Sequence, residues 1–145
     1  MTKAWATVLC VTCAALCAGP VRAGGSGLSV LAQCGRAPGP GRVLCEVSAK
    51  PESGRLVWSD VLVVHAPEFA RPLRSRVVLE LGANPQAAAA TLALVASQAG
   101  QGKLDILVRG VICSADQAGA AQRCKAVAQP VSAVLEVGAA VSKAP

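Results

Sequence analysis

The amino-acid sequence predicts a small all-β domain, an antiparallel β-sandwich of about seven strands that follows a cleaved N-terminal signal peptide. Three observations support this prediction. The chain opens with an apolar export signal, and apolar residues then recur mostly with a period of two. Four later cysteines form two matched pairs with the spacing C-x10-C, which is typical of a stapled exported domain.

Residues 1–23 have the pattern of a secretory signal peptide. Lys3 gives a positive start, residues 4–18 are uncharged and mostly apolar, and Gly19-Pro20 ends the run. Val21-Arg22-Ala23 then supplies the small residues that a signal peptidase recognises. The run is shorter than the ~20 residues of a membrane span. We therefore predict a periplasmic or secreted protein with one domain over residues 24–145 and no membrane span after cleavage.

Cleavage changes the composition of the chain. Seven cysteines become four, an even number that fits a disulfide framework in an oxidising compartment. Loss of Lys3 and Arg22 leaves twelve basic residues against eight acidic ones, so the net charge falls from +6 to +4. Trp58 and Phe69 are then the only aromatic residues. About 122 residues remain, the size of one ordinary domain.

Alternation of apolar and polar residues predicts the strands in order. Leu56, Trp58, Leu62 and Val64 are the apolar markers of the third strand, in which Asp60 indicates a bend or bulge. The predicted strands cover residues 28–32, 43–48, 55–65, 77–81, 91–97, 103–113 and 127–137, with turns at 36–41 and 51–54.

The segment 85–99 is compatible with two structures. Asn84-Pro85 is a good helix start, and the alanine-rich run that follows favours a helix. Leu92 and Leu94, however, alternate with smaller residues as in a strand. We predict a short helical turn or loop at 85–90 and a strand at 91–97.

The paired cysteines are the strongest candidates for chemistry. Cys34 and Cys45 bracket a Pro/Gly turn, which indicates a structural staple. Cys113 and Cys124 flank a polar connector, and we favour a staple there too. A redox-active pair is the alternative, because basic residues flank Cys124 and a nearby cation lowers the pKa of a thiol. Four cysteines allow three connectivities, and the sequence alone does not choose among them.

Residues 103–135 also resemble a known domain. A strand leads into Cys113, a loop and Cys124 follow, and the next strand holds Pro130-Val131, all near the end of an exported β domain. This arrangement resembles the N-terminal immunoglobulin-like domain of the periplasmic disulfide-reductase transducer DsbD. The resemblance implies an immunoglobulin-like sandwich in which Cys113 and Cys124 are the pair that exchanges disulfides.

Two further sets of residues are candidates for packing and contact. We predict that Trp58 is the buried core anchor of the sandwich. Arg71, Arg74 and Arg76 form a basic patch that can meet an acidic partner or an anionic polymer. The same arginines can equally keep a strand edge soluble, a role that Pro72 also fits.

Residue counts disfavour several other chemistries. His65 is the only histidine, whereas blue-copper and catalytic zinc sites commonly use two or three, and C-x10-C is not a zinc spacing. Nucleotide-binding and nucleophile-elbow motifs do not occur. The carboxylates are scattered over separate predicted elements: Asp60, Glu68, Asp105 and Asp116. We predict no cofactor, no metal and no nucleic-acid partner.

The sequence thus predicts an exported, non-catalytic accessory or binding module that contacts another extracytoplasmic protein. Thiol–disulfide exchange through Cys113 and Cys124 is the first alternative. A structural envelope component that uses the arginine patch is the second.

Overall fold

Ten β-strands make up the described part of the chain, residues 20–82, 87–114 and 123–139 of a computed structural model. No helix occurs in these residues. In chain order the strands are β1 (Val21–Ala23), β2 (Leu28–Cys34), β3 (Gly41–Pro51), β4 (Arg55–His65), β5 (Ala70–Pro72), β6 (Arg76–Val78), β7 (Glu80–Leu81), β8 (Ala88–Ala96), β9 (Gly100–Ser114) and β10 (Arg123–Val137).

The strands form two antiparallel sheets. Sheet I has the order β1-β2-β3-β8, and both β5 and β7 pair with the outer edge of β8. Sheet II has the order β10-β9-β4-β6. Apart from the short β1, these orders correspond to the two sheets of an immunoglobulin-like sandwich, in which strands ABED face strands GFC. The predicted all-β sandwich is confirmed.

The core lies between the two sheets and follows the period-two pattern of the sequence. Along β3 and β9 the buried residues recur at every second position because alternate side chains of a strand point to opposite faces. Phe69 is the one aromatic residue in the described core. Aliphatic side chains supply most of the rest, with Leu28, Leu56, Leu92, Leu94, Leu104, Ile106 and Leu135 among the largest that are fully buried.

Residues 70–81 pass from one sheet to the other and back. β5 pairs with β8 in sheet I, β6 pairs with β4 in sheet II, and β7 returns to β8. Backbone hydrogen bonds fix both crossings: the Leu73 amide donates to the Ala93 carbonyl at 2.9 Å, and the Leu79 amide donates to the Ser59 carbonyl at 2.9 Å. This segment therefore joins the two sheets along one side of the sandwich.

A second connection joins the sheets on the opposite side. Ala37, just after β2, forms a parallel bridge with Val137 of β10. The Ala37 amide donates to the Glu136 carbonyl at 3.2 Å, and the Gly138 amide donates to the Ala37 carbonyl at 2.8 Å. The sandwich is thus tied by backbone hydrogen bonds along both sides.

β8 begins earlier than the sequence predicts. Its first residue, Ala88, pairs with Ala49 of β3 and with Leu81 of β7. The predicted turn or loop at 85–90 is therefore wrong for residues 88–90, and residues 85–86 lie outside the described part of the chain. Ladder hydrogen bonding on both sides of β8 outweighs the helical preference of alanine, because propensity is weaker than tertiary pairing.

β4 covers Arg55–His65 as predicted, but its irregularities lie elsewhere. The register shifts between Leu56 and Trp58 and again between Val63 and His65, not at Asp60. Leu56 pairs with an inward residue of β9 and Trp58 with an outward one, since the extra residue of a bulge changes the face that follows. Trp58 is half-buried and lies outside the described core cluster. It does not occupy the buried anchor position that the sequence predicts.

Candidate functional site

The outer face of sheet II is the surface made by side chains of β4, β6, β9 and β10 that point away from the core. The register places Trp58 beside Val111 and Asp60 beside Arg109. The next row crosses all four strands and consists of Arg76, Leu62, Leu107 and Pro130.

A buried carboxylate lies at the centre of this face. Asp60 has 0% side-chain exposure although it points outward, because two arginines cover it. Arg109 Nε donates to Asp60 Oδ1 at 2.9 Å, and Arg109 Nη2 donates to Asp60 Oδ2. Arg76 Nε donates to Asp60 Oδ2 at 2.6 Å. The carboxylate thus accepts three charge-assisted hydrogen bonds, which are stronger than bonds between neutral groups.

These contacts set the protonation state of the cluster. Burial acts to raise the pKa of Asp60, but hydrogen bonds from Arg109 and Arg76, together with their charges, lower it below its ordinary value of 3.8. The hydrogen bond to Asp60 raises the pKa of Arg109. All three groups are charged at neutral pH, so the cluster carries a net charge of +1.

Trp58 lies beneath both guanidinium groups. The central carbon of Arg76 and that of Arg109 each lie 5.9 Å from the centre of its ring. Such cation–π contacts contribute about 0.5–1 kcal/mol at exposed sites. We call Trp58, Asp60, Arg76 and Arg109 the Arg–Trp cluster. Its members come from β4, β6 and β9, so it depends on the register of three strands.

An apolar depression lies on the same face as the cluster. It has a volume of about 410 Å³ and lies at the β9–β10 end of the row that starts at Arg76. Val64, which is 67% exposed, forms part of its wall. The other lining residues are Asp105, Ile106, Leu107, Pro130, Val131 and Ser132.

The structure resolves the connectivity of the cysteines as Cys34–Cys45 and Cys113–Cys124. Cys34 and Cys45 are cross-strand neighbours of β2 and β3 on the inner face of sheet I. Cys45 is buried, and Cys34 packs against the core. This bond lies inside the sandwich. Two intramolecular disulfides are typical of extracytoplasmic proteins.

The Cys113–Cys124 bond lies on the outer face of sheet II. The two residues are cross-strand neighbours of β9 and β10, at the end of the hairpin whose connector, 115–122, lies outside the described residues. Cys113 is buried, whereas Cys124 is exposed. A depression of about 220 Å³ adjoins Cys124 and is lined in part by Arg123 and Lys125. The two disulfides therefore differ in their access to solvent.

Among the described residues, Ser132, Asp105 and His65 lie near one another but do not form a serine-hydrolase triad. Ser132 Oγ donates to Asp105 Oδ1 at 2.5 Å, and His65 lies across from Asp105 on β4. The serine hydroxyl therefore bonds to the carboxylate and not to the imidazole that would act as its base. Glu68 lies in a turn and Asp116 falls outside the described residues. Within the described ranges no three His, Cys, Asp or Glu side chains form a metal-binding group.

The structure distributes the three predicted patch arginines over both sheets. Arg71 lies on β5 in sheet I and is exposed. Arg74 lies in the crossing between the sheets, and Arg76 lies on β6 in sheet II, turned toward Asp60. The pairing of Asp60 with Arg109 was not predicted from the sequence. The one available signal was the position of Asp60 in an otherwise apolar strand.

No protein-family model, no curated protein and no solved structure matches this chain. Among the described residues, no helix is long and apolar enough to cross a membrane.

Proposed function

We propose that this protein is an exported, non-catalytic binding module that contacts another extracytoplasmic protein through the outer face of sheet II. The observation that carries the proposal is the position of Trp58. It lies half-buried on this face between two arginines and not in the core. Tryptophan and arginine are among the residue types in which the binding energy of protein interfaces concentrates.

The surroundings of Trp58 support the same conclusion. On the same face, Leu62 and Leu107 are half-buried, and Val64 and Val78 are exposed at 67% and 54%. Apolar groups around an arginine–tryptophan centre are the composition of an interface core. The outer face of sheet I also has exposed Leu44 and Val95, but none of its described residues is aromatic.

Site-specific photocrosslinking in the producing cell tests this proposal. A photoreactive residue placed at Val64 or Val78 should give a discrete adduct with one extracytoplasmic protein. The same residue at Leu44 or Val95, which are exposed on sheet I, is the matched control and should give none. Trp58→Ala should abolish the adduct. Adducts from sheet I alone, or no adduct from any position, would contradict the proposal.

Thiol–disulfide exchange is the second candidate, favoured by the exposure of Cys124. A thiolate of a partner dithiol would attack the Cys124 sulfur, forming a mixed disulfide and releasing Cys113 as a thiolate. The second partner thiol would then attack the mixed disulfide. The partner would leave oxidised, and this protein would leave with two reduced cysteines.

Equilibration in glutathione buffers, followed by alkylation and mass spectrometry, tests the exchange function. Cys34–Cys45 is an internal control because it lies inside the sandwich and closes a loop of the same sequence separation, 11 residues. An exchange site should have a reduction potential in the range of exchange proteins, about −120 to −270 mV. If Cys113–Cys124 resists reduction below about −300 mV, it is a structural bond.

A further inference from the structure

We infer that the partner of the outer face of sheet II presents an acidic polypeptide segment, and that Arg76 receives its carboxylate beside Trp58. This inference rests on the proposed function and specifies the chemistry of its ligand. It is carried by the charge, the hydrogen-bond donors and the apolar row of the same face.

The Arg–Trp cluster presents positive charge to solvent. The side chains of Arg76 and Arg109 are 54% and 37% exposed, whereas the carboxylate between them is fully covered. The cluster therefore turns two cations toward solvent and keeps its own carboxylate covered. Such a surface attracts a negatively charged group.

Arg76 has donors left for a ligand. It uses only Nε on Asp60, and its two terminal nitrogens make no other hydrogen bond within the described residues. Arg109 is more fully engaged, since it bonds to both oxygens of Asp60. A pair of guanidinium N–H groups matches the two oxygens of a carboxylate. Of the two arginines, Arg76 is therefore the one that can bind the carboxylate of a ligand through a pair of N–H groups.

The guanidinium of Arg76 is already held in place. Asp60 fixes its Nε, and the Trp58 ring lies 5.9 Å from its central carbon. An ordered side chain loses less conformational freedom on binding than a mobile one, so more of the interaction energy remains as affinity. An exposed lysine or arginine without such support would lose more conformational freedom on binding and would therefore contribute less affinity.

The row beginning at Arg76 indicates what lies next to the acid in the ligand. Leu62, Leu107 and Pro130 follow Arg76 across the strands and lead to the apolar depression. With neighbouring strands about 4.8 Å apart, Arg76 lies roughly 12 Å from the depression between β9 and β10. An extended segment covers this distance in about four residues. We therefore expect an acidic residue and an aliphatic residue four positions later.

Nuclear magnetic resonance titration with two capped peptides tests the inference. The probes are acetyl-Glu-Ser-Val-Ser-Leu-amide and the same peptide with Gln in place of Glu. The Glu peptide should shift the indole N–H signal of Trp58 and bind at least tenfold more tightly than the Gln peptide. Added salt should weaken the Glu peptide selectively, because exposed ion pairs are screened.

Variants that remove one positive charge from different positions show which arginine is responsible for the preference for the Glu peptide. Arg76→Gln should remove the preference for the Glu peptide, while Arg76→Lys should keep only part of it because lysine lacks the planar fork. Arg42→Gln is the control: it removes the same charge from an exposed position on the outer face of sheet I and should leave the preference intact. Equal binding of both peptides, binding of neither, or a preference that survives Arg76→Gln would overturn the inference. Shifts produced only by an anionic polysaccharide would overturn it as well.

The crosslinking experiment separates failure of this inference from failure of the proposed function. Adducts from Val64 and Val78 that form equally well in Arg76→Gln, together with peptides that show no preference, would support the binding face and reject the acidic ligand. If no adduct forms from either position, the proposed function itself fails.

Discussion

Among single residues, Asp60 has the environment that most constrains substitution on the outer face of sheet II. Its carboxylate is fully covered and accepts hydrogen bonds from Arg76 and Arg109. A buried charge is stable only while its partners remain, since an unpaired one bears the full cost of desolvation. Asp60 also joins three strands, because its two partners lie on β6 and β9.

Asp60→Asn should lower the free energy of unfolding at neutral pH by about 2 to 3 kcal/mol, because it removes the charge from three hydrogen bonds at a buried site. Urea unfolding followed by circular dichroism measures this change. Asp105→Asn is the matched control and should cost less than about 1 kcal/mol, since the Asp105 bond to Ser132 is exposed. Equal losses in the two variants would contradict the role given to Asp60.

The contribution of Asp60 should depend on pH in one direction. The pKa of Asp60 is lower in the folded protein than its ordinary value of 3.8. Its stabilising effect is therefore fully present above that value and is lost as the pH falls through the folded pKa. The difference in unfolding free energy between the wild type and Asp60→Asn should stay constant between about pH 7 and pH 5 and shrink below about pH 4. A difference that persists unchanged to about pH 2 would exclude this account.

Residue-scale prediction from sequence failed at Trp58 for an identifiable reason. Period-two counting from Leu56 places Trp58 on the same inner face, and only the bulge at Val57 moves it to the outer one. The alternation of apolar and polar residues around Val57 does not indicate a bulge there. The same shift turns Asp60 outward, where Arg109 faces it, so the candidate site could not be assembled from the sequence.

At the scale of elements, the two hairpin disulfides differ in location and not in loop length. Both close loops of sequence separation 11, so the chain-entropy contribution of about 3 kcal/mol is the same for each. Cys34–Cys45 also packs inside the sandwich, whereas Cys113–Cys124 lies on the outer face. The double variant Cys34→Ala with Cys45→Ala should therefore lose more stability than Cys113→Ala with Cys124→Ala.

We expect the interior pair to cost about 3 to 4 kcal/mol and the outer pair about 2 to 3 kcal/mol. Urea unfolding of the two double variants measures the difference. Because the loops match, each variant is the control of the other. A larger loss for the outer pair would show that location does not set their ranking.

We predict that Gly102 of β9 does not tolerate a larger residue, because the segment between β4 and β5 packs directly against it. A Cβ atom at Gly102 would lie 2.6 Å from Pro67 Cβ and 3.3 Å from Phe69 Cε1. Gly102→Ala should lower the unfolding free energy by about 1 to 3 kcal/mol, as overpacking does elsewhere. Gly35→Ala is the control, since its nearest neighbour would be the Leu44 carbonyl oxygen at 3.5 Å. Thermal unfolding of both variants tests this, and equal midpoints would count against it.

Element boundaries were predictable where alternation was strong and unpredictable where pairing decided them. β4 has the predicted bounds, and β9 contains the predicted strand 103–113. β9 and β10 nevertheless extend further, because each continues the ladder of the other from Gly100–Val137 to Ser114–Arg123. The double crossing of residues 70–81 was not predicted, since its short strands depend on partners in two sheets.

At the scale of the whole molecule, the predicted signal peptide overlaps the folded domain. β1, Val21–Ala23, lies within residues 1–23 and pairs with residues 30–32 of β2. If cleavage follows Ala23, the mature protein loses this edge strand. Its intact mass should correspond to residues 24–145, and those amides of residues 30–32 that face β1 and not β3 should exchange faster than in the uncleaved chain. Recovery of the exported protein with Val21–Ala23 still attached would exclude that cleavage site.

The path of residues 70–81 constrains the order in which the domain can assemble. β5 and β7 need β8 as their partner, and β8 follows them in the chain, so during N-to-C-terminal synthesis they emerge before the edge that receives them. β6 needs β4 at the same time. We expect residues 70–81 to pair with both sheets after the β2–β3 hairpin has formed, because local contacts form sooner than distant ones. Pulse-labelled refolding should show late protection of the Leu73 and Leu79 amides.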